Sequence, residues 1–158
     1  MIFLCQSVGF TFQNEPDGFR GLKWGNPPTK NMVFYYNFGE NINIYFLPGE
    51  KLSIGRAQFT KIHYWFHDKR LAGVSMSFDG KENFDLLESI CQYRFGTETT
   101  RIEDTMYEFY LMWKGKMALI TLLYDSMEET GILILQSFIM EEWIKEIERS
   151  ADETEEDW

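Results

Sequence analysis

Two runs of residues, Phe59 to Phe66 and Leu71 to Phe78, constrain this chain more than any other feature. Both alternate large apolar residues with polar or small ones. In an extended chain successive side chains point to opposite faces. Ile62, Tyr64 and Phe66 therefore share one face of the first run, and Val74, Met76 and Phe78 share one face of the second. The intervening His67-Asp68-Lys69-Arg70 reads as a loop. The pair is expected to form an antiparallel hairpin with that apolar face turned to a core.

The rest of the chain extends the same pattern. Met32 to Phe38 and Ile42 to Leu47 read as aromatic-rich strands joined at Gly39-Glu40-Asn41, and Pro48-Gly49-Glu50-Lys51 as a turn. After Asp79-Gly80, Phe84, Leu87, Ile90, Cys91 and Phe95 recur at helical spacing, with Asn83 as the expected N-cap and Gly96 as the stop. A second meander follows: Met106 to Trp113, a turn at Lys114-Gly115-Lys116, Met117 to Tyr124, an acidic loop, and Ile132 to Phe138. Glu103-Asp104 falls in the loop after the helix. A final helix is expected from about Met140 to Arg149, with Trp143, Ile144 and Ile147 on its buried face. The class is α+β: an antiparallel meander sheet with two helices, in the order strands, helix, strands, helix, the helices forming a single layer on the sheet. Residues 1–150 form one domain, 1–30 wrap it irregularly, and 151–158 form a solvated acidic tail.

The chain has 158 residues, enough for an ordinary core. Aromatic residues make up 17%, a surplus that leaves some available as contact surface. Of the formal net charge of −10, five units come from the last eight residues, leaving the body at −5. No basic footprint is present, so nucleic acid and anionic membrane surfaces are poor partners. No apolar run approaches the ~20 residues of a membrane span. Met1 to Cys5 is apolar, and Ser7-Val8-Gly9 places small residues where a signal peptidase prefers them. Two readings stay open for 1–9: a terminal strand, or the remnant of a signal peptide that starts upstream. The second implies export to the periplasm, the first a cytoplasmic protein.

Catalytic signatures are sparse. His63 and His67 would sit ~13 Å apart on one strand at ~3.3 Å per residue, too far to share a metal. They are expected to flank Trp65 on the solvent face, where His63, Trp65 and His67 could form a contact row. No serine lies in a Gly-x-Ser-x-Gly turn, no Cys-x-x-Cys or Cys/His metal spacing occurs, and no phosphate-binding loop is complete. Cys91 is expected to be a buried thiol, and no cofactor or metal is implied. Arg20 and Lys23, beside glycines and Trp24, could hold an anion. The same segment also reads as a clasp, with Gly21 and Gly25 turning the chain, Trp24 plugging the core and Pro27-Pro28 ending it.

The run Phe19-Arg20-Gly21-Leu22-Lys23-Trp24-Gly25, the hairpin Ile62 to Val74, the helix ending Phe95-Gly96 and the late Trp113 together resemble small uncharacterised bacterial proteins, many of them exported. Their pattern starts with Phe-x-Gly, an apolar residue, x-Trp-Gly. The resemblance spans about Phe19 to Phe138 and implies export, but it brings no activity, ligand or catalytic residue. The expected function is a non-catalytic interaction domain for a protein or envelope component. Alternatives are an inhibitor or immunity-type protein for a basic partner, and small-ligand binding between sheet and helices. A homodimer is a further expectation, because a meander sheet leaves open edges.

Overall fold

The alternating runs pair as expected in the computed structural model, which describes residues 12–104, 108–138 and 145. Twelve strands and one helix occur among those residues: β1 (Gly18–Phe19), β2 (Leu22–Lys23), β3 (Val33–Phe38), β4 (Ile42–Phe46), β5 (Ser53–Ile54), β6 (Ala57–Gln58), β7 (Lys61–His67), β8 (Arg70–Asp79), α1 (Lys81–Phe95), β9 (Thr100–Asp104), β10 (Glu108–Lys114), β11 (Ala118–Asp125) and β12 (Thr130–Ser137). Eight of the strands form one sheet in the order β3-β4-β7-β8-β12-β11-β10-β9, antiparallel throughout. β1–β2 and β5–β6 are separate two-residue hairpins.

The sheet is two four-stranded meanders joined along β8 and β12. The second runs back toward the first, so its last strand, not its first, meets β8, with Met76 opposite Leu133 and Val74 opposite Leu135. Ile62, Tyr64, Phe66, Val74, Met76 and Phe78 are all buried, on the face the alternation assigns to the core. Ile120, Leu122, Tyr124, Leu111 and Trp113 continue that face through β11 and β10. α1 packs there through Phe84, Leu87, Cys91 and Phe95, against β6, β8 and β11.

Several expectations change. The loop at the β7–β8 hairpin shrinks to Asp68 and Lys69, both with positive φ (47° and 63°), because His67 and Arg70 pair with each other as strand residues. That is the left-handed two-residue turn whose twist suits a hairpin. The helix begins at Lys81 behind Gly80, so Asn83 is not its N-cap. Asn83 instead donates from its side chain to the Asp79 carbonyl and accepts from the Gln58 N–H, tying helix to hairpin. Glu103 and Asp104 belong to β9, an outer strand, not to a loop. One helix stands among the described residues, not two. The expected final helix falls outside them, except Lys145, which is helical. Residues 1–11 and the acidic tail also lie outside them. Among the described residues, no helix is long and apolar enough to cross a membrane.

The amino-terminal wrap is fastened at the C-terminal end of α1 and at the β10–β11 turn. Helix C-termini leave carbonyls without internal partners. Here the Gln13 N–H donates to the Phe95 carbonyl, the Asn14 amide to that of Arg94, and the Trp113 indole to that of Gly96. Glu15 accepts hydrogen bonds from the Met117 and Ala118 N–H groups, pinning the wrap to the β10–β11 turn.

Gly131 holds the seam together by lacking a side chain. It sits in β12 between Phe78 on β8 and Tyr124 on β11. The two rings lean across it and stack nearly parallel, centroids 6.3 Å apart, and Phe84 of α1 stacks on Tyr124 at 5.3 Å. A methyl group at Gly131 would stand 2.2 Å from the Phe78 ring and 2.5 Å from the Leu123 carbonyl oxygen. The carbonyl belongs to the sheet and cannot step aside. Gly131→Ala is expected to destabilise the fold by about 1–3 kcal/mol, outweighing the usual gain from removing a glycine. Urea unfolding followed by tryptophan fluorescence checks this, and a midpoint at or above that of the parent protein would refute the account.

Candidate functional site

Phe19-Arg20-Gly21-Leu22 is a hairpin. Phe19 pairs with Leu22 around a two-residue turn in which both Arg20 (φ 49°) and Gly21 (φ 82°) are left-handed. Arginine is an unusual residue there, since the conformation costs about 1–2 kcal/mol for a side chain with a Cβ. Three contacts hold it. Its guanidinium donates to the Glu50 carboxylate at 3.0 Å, to the Lys51 carbonyl at 2.7 Å and to the Ser53 carbonyl at 2.9 Å. The Glu50 side chain is only 6% exposed and also accepts from the Tyr64 hydroxyl at 2.7 Å. Burial first, and then the neighbouring Glu50, push that hydroxyl far above its ordinary pKa, so it stays a donor.

Trp24 completes the clasp. Its indole donates to the Pro16 carbonyl, its N–H to that of Asp17, and its ring packs half-buried against the core. The next residues pair with β8: the Gly25 N–H donates to the Leu71 carbonyl, and the Leu71 N–H to that of Asn26.

Beneath this wrap runs a cleft of about 970 Å³ between α1 and the sheet. Leu87, Ile90, Cys91 and Phe95 line it from the helix, Leu133 and Leu135 from β12, and Glu50 and Tyr64 from the sheet side. Lys23 and Arg94 line its exposed side. Burial pushes the Cys91 thiol up to about 12, against a small opposing pull from Arg94, so it stays protonated and inert at neutral pH.

The other candidate surface is β3. All six of its residues are exposed, with Tyr35 at 58% and Phe38 at 65%. It is the outermost strand of the large sheet. A bulge between Phe34 and Tyr36 makes Tyr35 an extra residue and turns both tyrosines toward His63, with ring centroids at 5.3 and 6.4 Å. Phe34 packs edge-on against Tyr45, which does the same to Phe66. The exposed strand is thus rooted in the core. Burial, and then Lys61, lower the His63 pKa, keeping the imidazole neutral beside the rings.

The six residues singled out from the sequence do not converge. Arg20 and Lys23 line the cleft, while Trp24 closes the clasp beside it. His63 and Trp65 point to the opposite face, since Tyr64 between them faces the core. Trp65 is half-buried, and its indole donates to the Ser75 hydroxyl at 3.1 Å. His67 leaves the expected solvent row: it is 3% exposed, with Asp68 3.5 Å away. The register shift between Trp65 and Phe66 puts its extra residue, Ala72, on β8, so the alternation of β7 is kept and burial alone takes His67 out of the solvent row. Among the described residues, no group of three or more His, Cys, Asp or Glu side chains is placed to hold a metal ion. Sequence reasoning missed Glu50, hidden in a turn motif, and the exposure of β3, whose aromatic content resembles that of a core strand. No protein-family model matches this chain, and neither a curated protein nor a solved structure matches it.

Arg20→Ala leaves the Glu50 carboxylate buried without its cation, and is expected to lower stability by about 1–3 kcal/mol. Alanine meets the same left-handed backbone, so the loss reports the side chain. Adding Glu50→Gln should recover part of it. Equal unfolding midpoints for parent and Arg20→Ala would show that the network contributes nothing.

Proposed function

We propose that this protein is a non-catalytic interaction domain that engages another protein chain through the edge strand β3. One observation carries the reading. A six-residue strand at the edge of the large sheet offers Val33, Phe34, Tyr35, Tyr36 and Phe38 to solvent. Edge strands present unpaired N–H and C=O groups, and proteins ordinarily blunt them with charges or cover them. The opposite edge follows that rule. On β9, Arg101 ion-pairs with Glu88, Glu98 and Glu103, which hold it charged. No charged residue occurs in Val33 to Phe38. An added strand would gain backbone hydrogen bonds along the edge and aromatic packing on both faces. A basic partner selected by charge, as for an inhibitor or immunity-type protein, finds no acid on this strand.

A photo-crosslinking amino acid at position 36 should yield a covalent protein adduct in the producing cell. The same group at Tyr93, 92% exposed on α1, should yield none. Equal yields at the two positions, or none at either, would remove the reading.

The cleft favours a second reading, small-ligand binding between helix and sheet. Its size is that of a ligand pocket, with an apolar floor and the cations Lys23 and Arg94 on its exposed side. Such a site suits an aromatic or aliphatic anion. Anilinonaphthalene sulfonate should bind saturably at one site and be excluded by Ile90→Trp. Unsaturable binding, or binding indifferent to that change, would count against it.

A further inference from the structure

We infer that the partner of β3 is a second copy of this chain, paired antiparallel about a two-fold axis near Tyr35. The inference rests on the reading of β3 as an interaction edge. Three observations select the occupant.

The first is charge order. Lys30 precedes the strand and Glu40 follows it, each five positions from Tyr35 and both exposed. An antiparallel copy brings each Lys30 toward the partner's Glu40. A parallel copy would set like charges side by side, so the pattern favours one orientation. The second is local neutrality. The body is acidic and two copies repel, but residues 30–40 carry one positive and one negative charge. Contact at this edge therefore brings together a segment with no net charge. The third is area. Four aromatics between 43% and 65% exposed leave on the order of 400 Å² of apolar surface per copy. Two copies bring about 800 Å² plus the strand backbone, at the small end of specific interfaces. The dimer is accordingly weak and concentration-dependent, and it joins two eight-stranded sheets into one.

Sedimentation velocity of the full chain from about 1 µM to about 300 µM should show a monomer–dimer equilibrium with Kd on the order of 10 µM. Phe34→Lys should abolish the dimer, and Phe38→Lys serves should the first variant fail to fold. Lys30→Glu and Glu40→Lys lie in exposed turns and leave the fold alone. Each alone should weaken dimerisation about five-fold, and the double exchange should restore it. Restoration is specific to antiparallel self-pairing, because no other partner carries the compensating charge. A monomer at every concentration, or a dimer unmoved by both single reversals, overturns the inference. The position-36 adduct separates the two claims. Twice the chain mass supports self-pairing. A different mass keeps the interaction reading and removes self-pairing, and no adduct removes both.

Discussion

The seam between β8 and β12 is the constraint on which the rest of this structure depends. β8 is the longest strand, ten residues, and it carries β7 on one side and β12 on the other. The helix packs against β8 and β11 together, and the ring stack of Phe78, Tyr124 and Phe84 spans the joint. That stack exists because Gly131 leaves room for it. A single missing side chain in β12 thus leaves room for the ring stack that joins the two halves to the helix. From there the consequences run outward. The helix end supplies carbonyls for the wrap, the wrap positions Arg20, and Arg20 neutralises Glu50 beneath it.

Local features of this fold were legible in the sequence, and relations between distant segments were not. The two faces of β7 and β8, the buried stripe of α1 and its stop at Gly96 follow from periodicity, which acts over a few residues. Strand order is not periodic. Nothing in β12 announces that it pairs with β8, and β9 escaped notice because Thr-Arg-Ile-Glu-Asp lacks the apolar density of its neighbours. The bulges at Tyr35 and between Trp65 and Phe66 were equally silent. Each adds one unpaired residue, Tyr35 in β3 and Ala72 in β8, and neither accounts for the burial of His67.

The candidate site divides in the same way. Gly21 and Gly25 were readable as turn residues, and both have positive φ. Arg20 stood out for its charge beside glycine, but its role depends on Glu50, thirty positions away. The exposed strand was hidden for a different reason. Val-Phe-Tyr-Tyr-Asn-Phe has the composition of a buried strand, and only its place at the end of the strand order leaves it bare. Composition tells how much apolar surface a chain has, while topology decides which part stays uncovered.

The reversed second meander also dictates an order of events. Ser77 of β8 meets Ile132 of β12, 55 positions later, and every contact along the seam has a comparable reach. Closing such a loop takes more entropy than closing a hairpin, and folds rich in distant pairings form slowly. During synthesis β3, β4, β7 and β8 can pair as soon as they emerge, but the open side of β8 must wait until β12 is made. For that interval the first half has two bare edges, one of which the finished chain will cover and one of which it will keep. The step that closes the sheet is therefore also the step that removes one of these two bare edges.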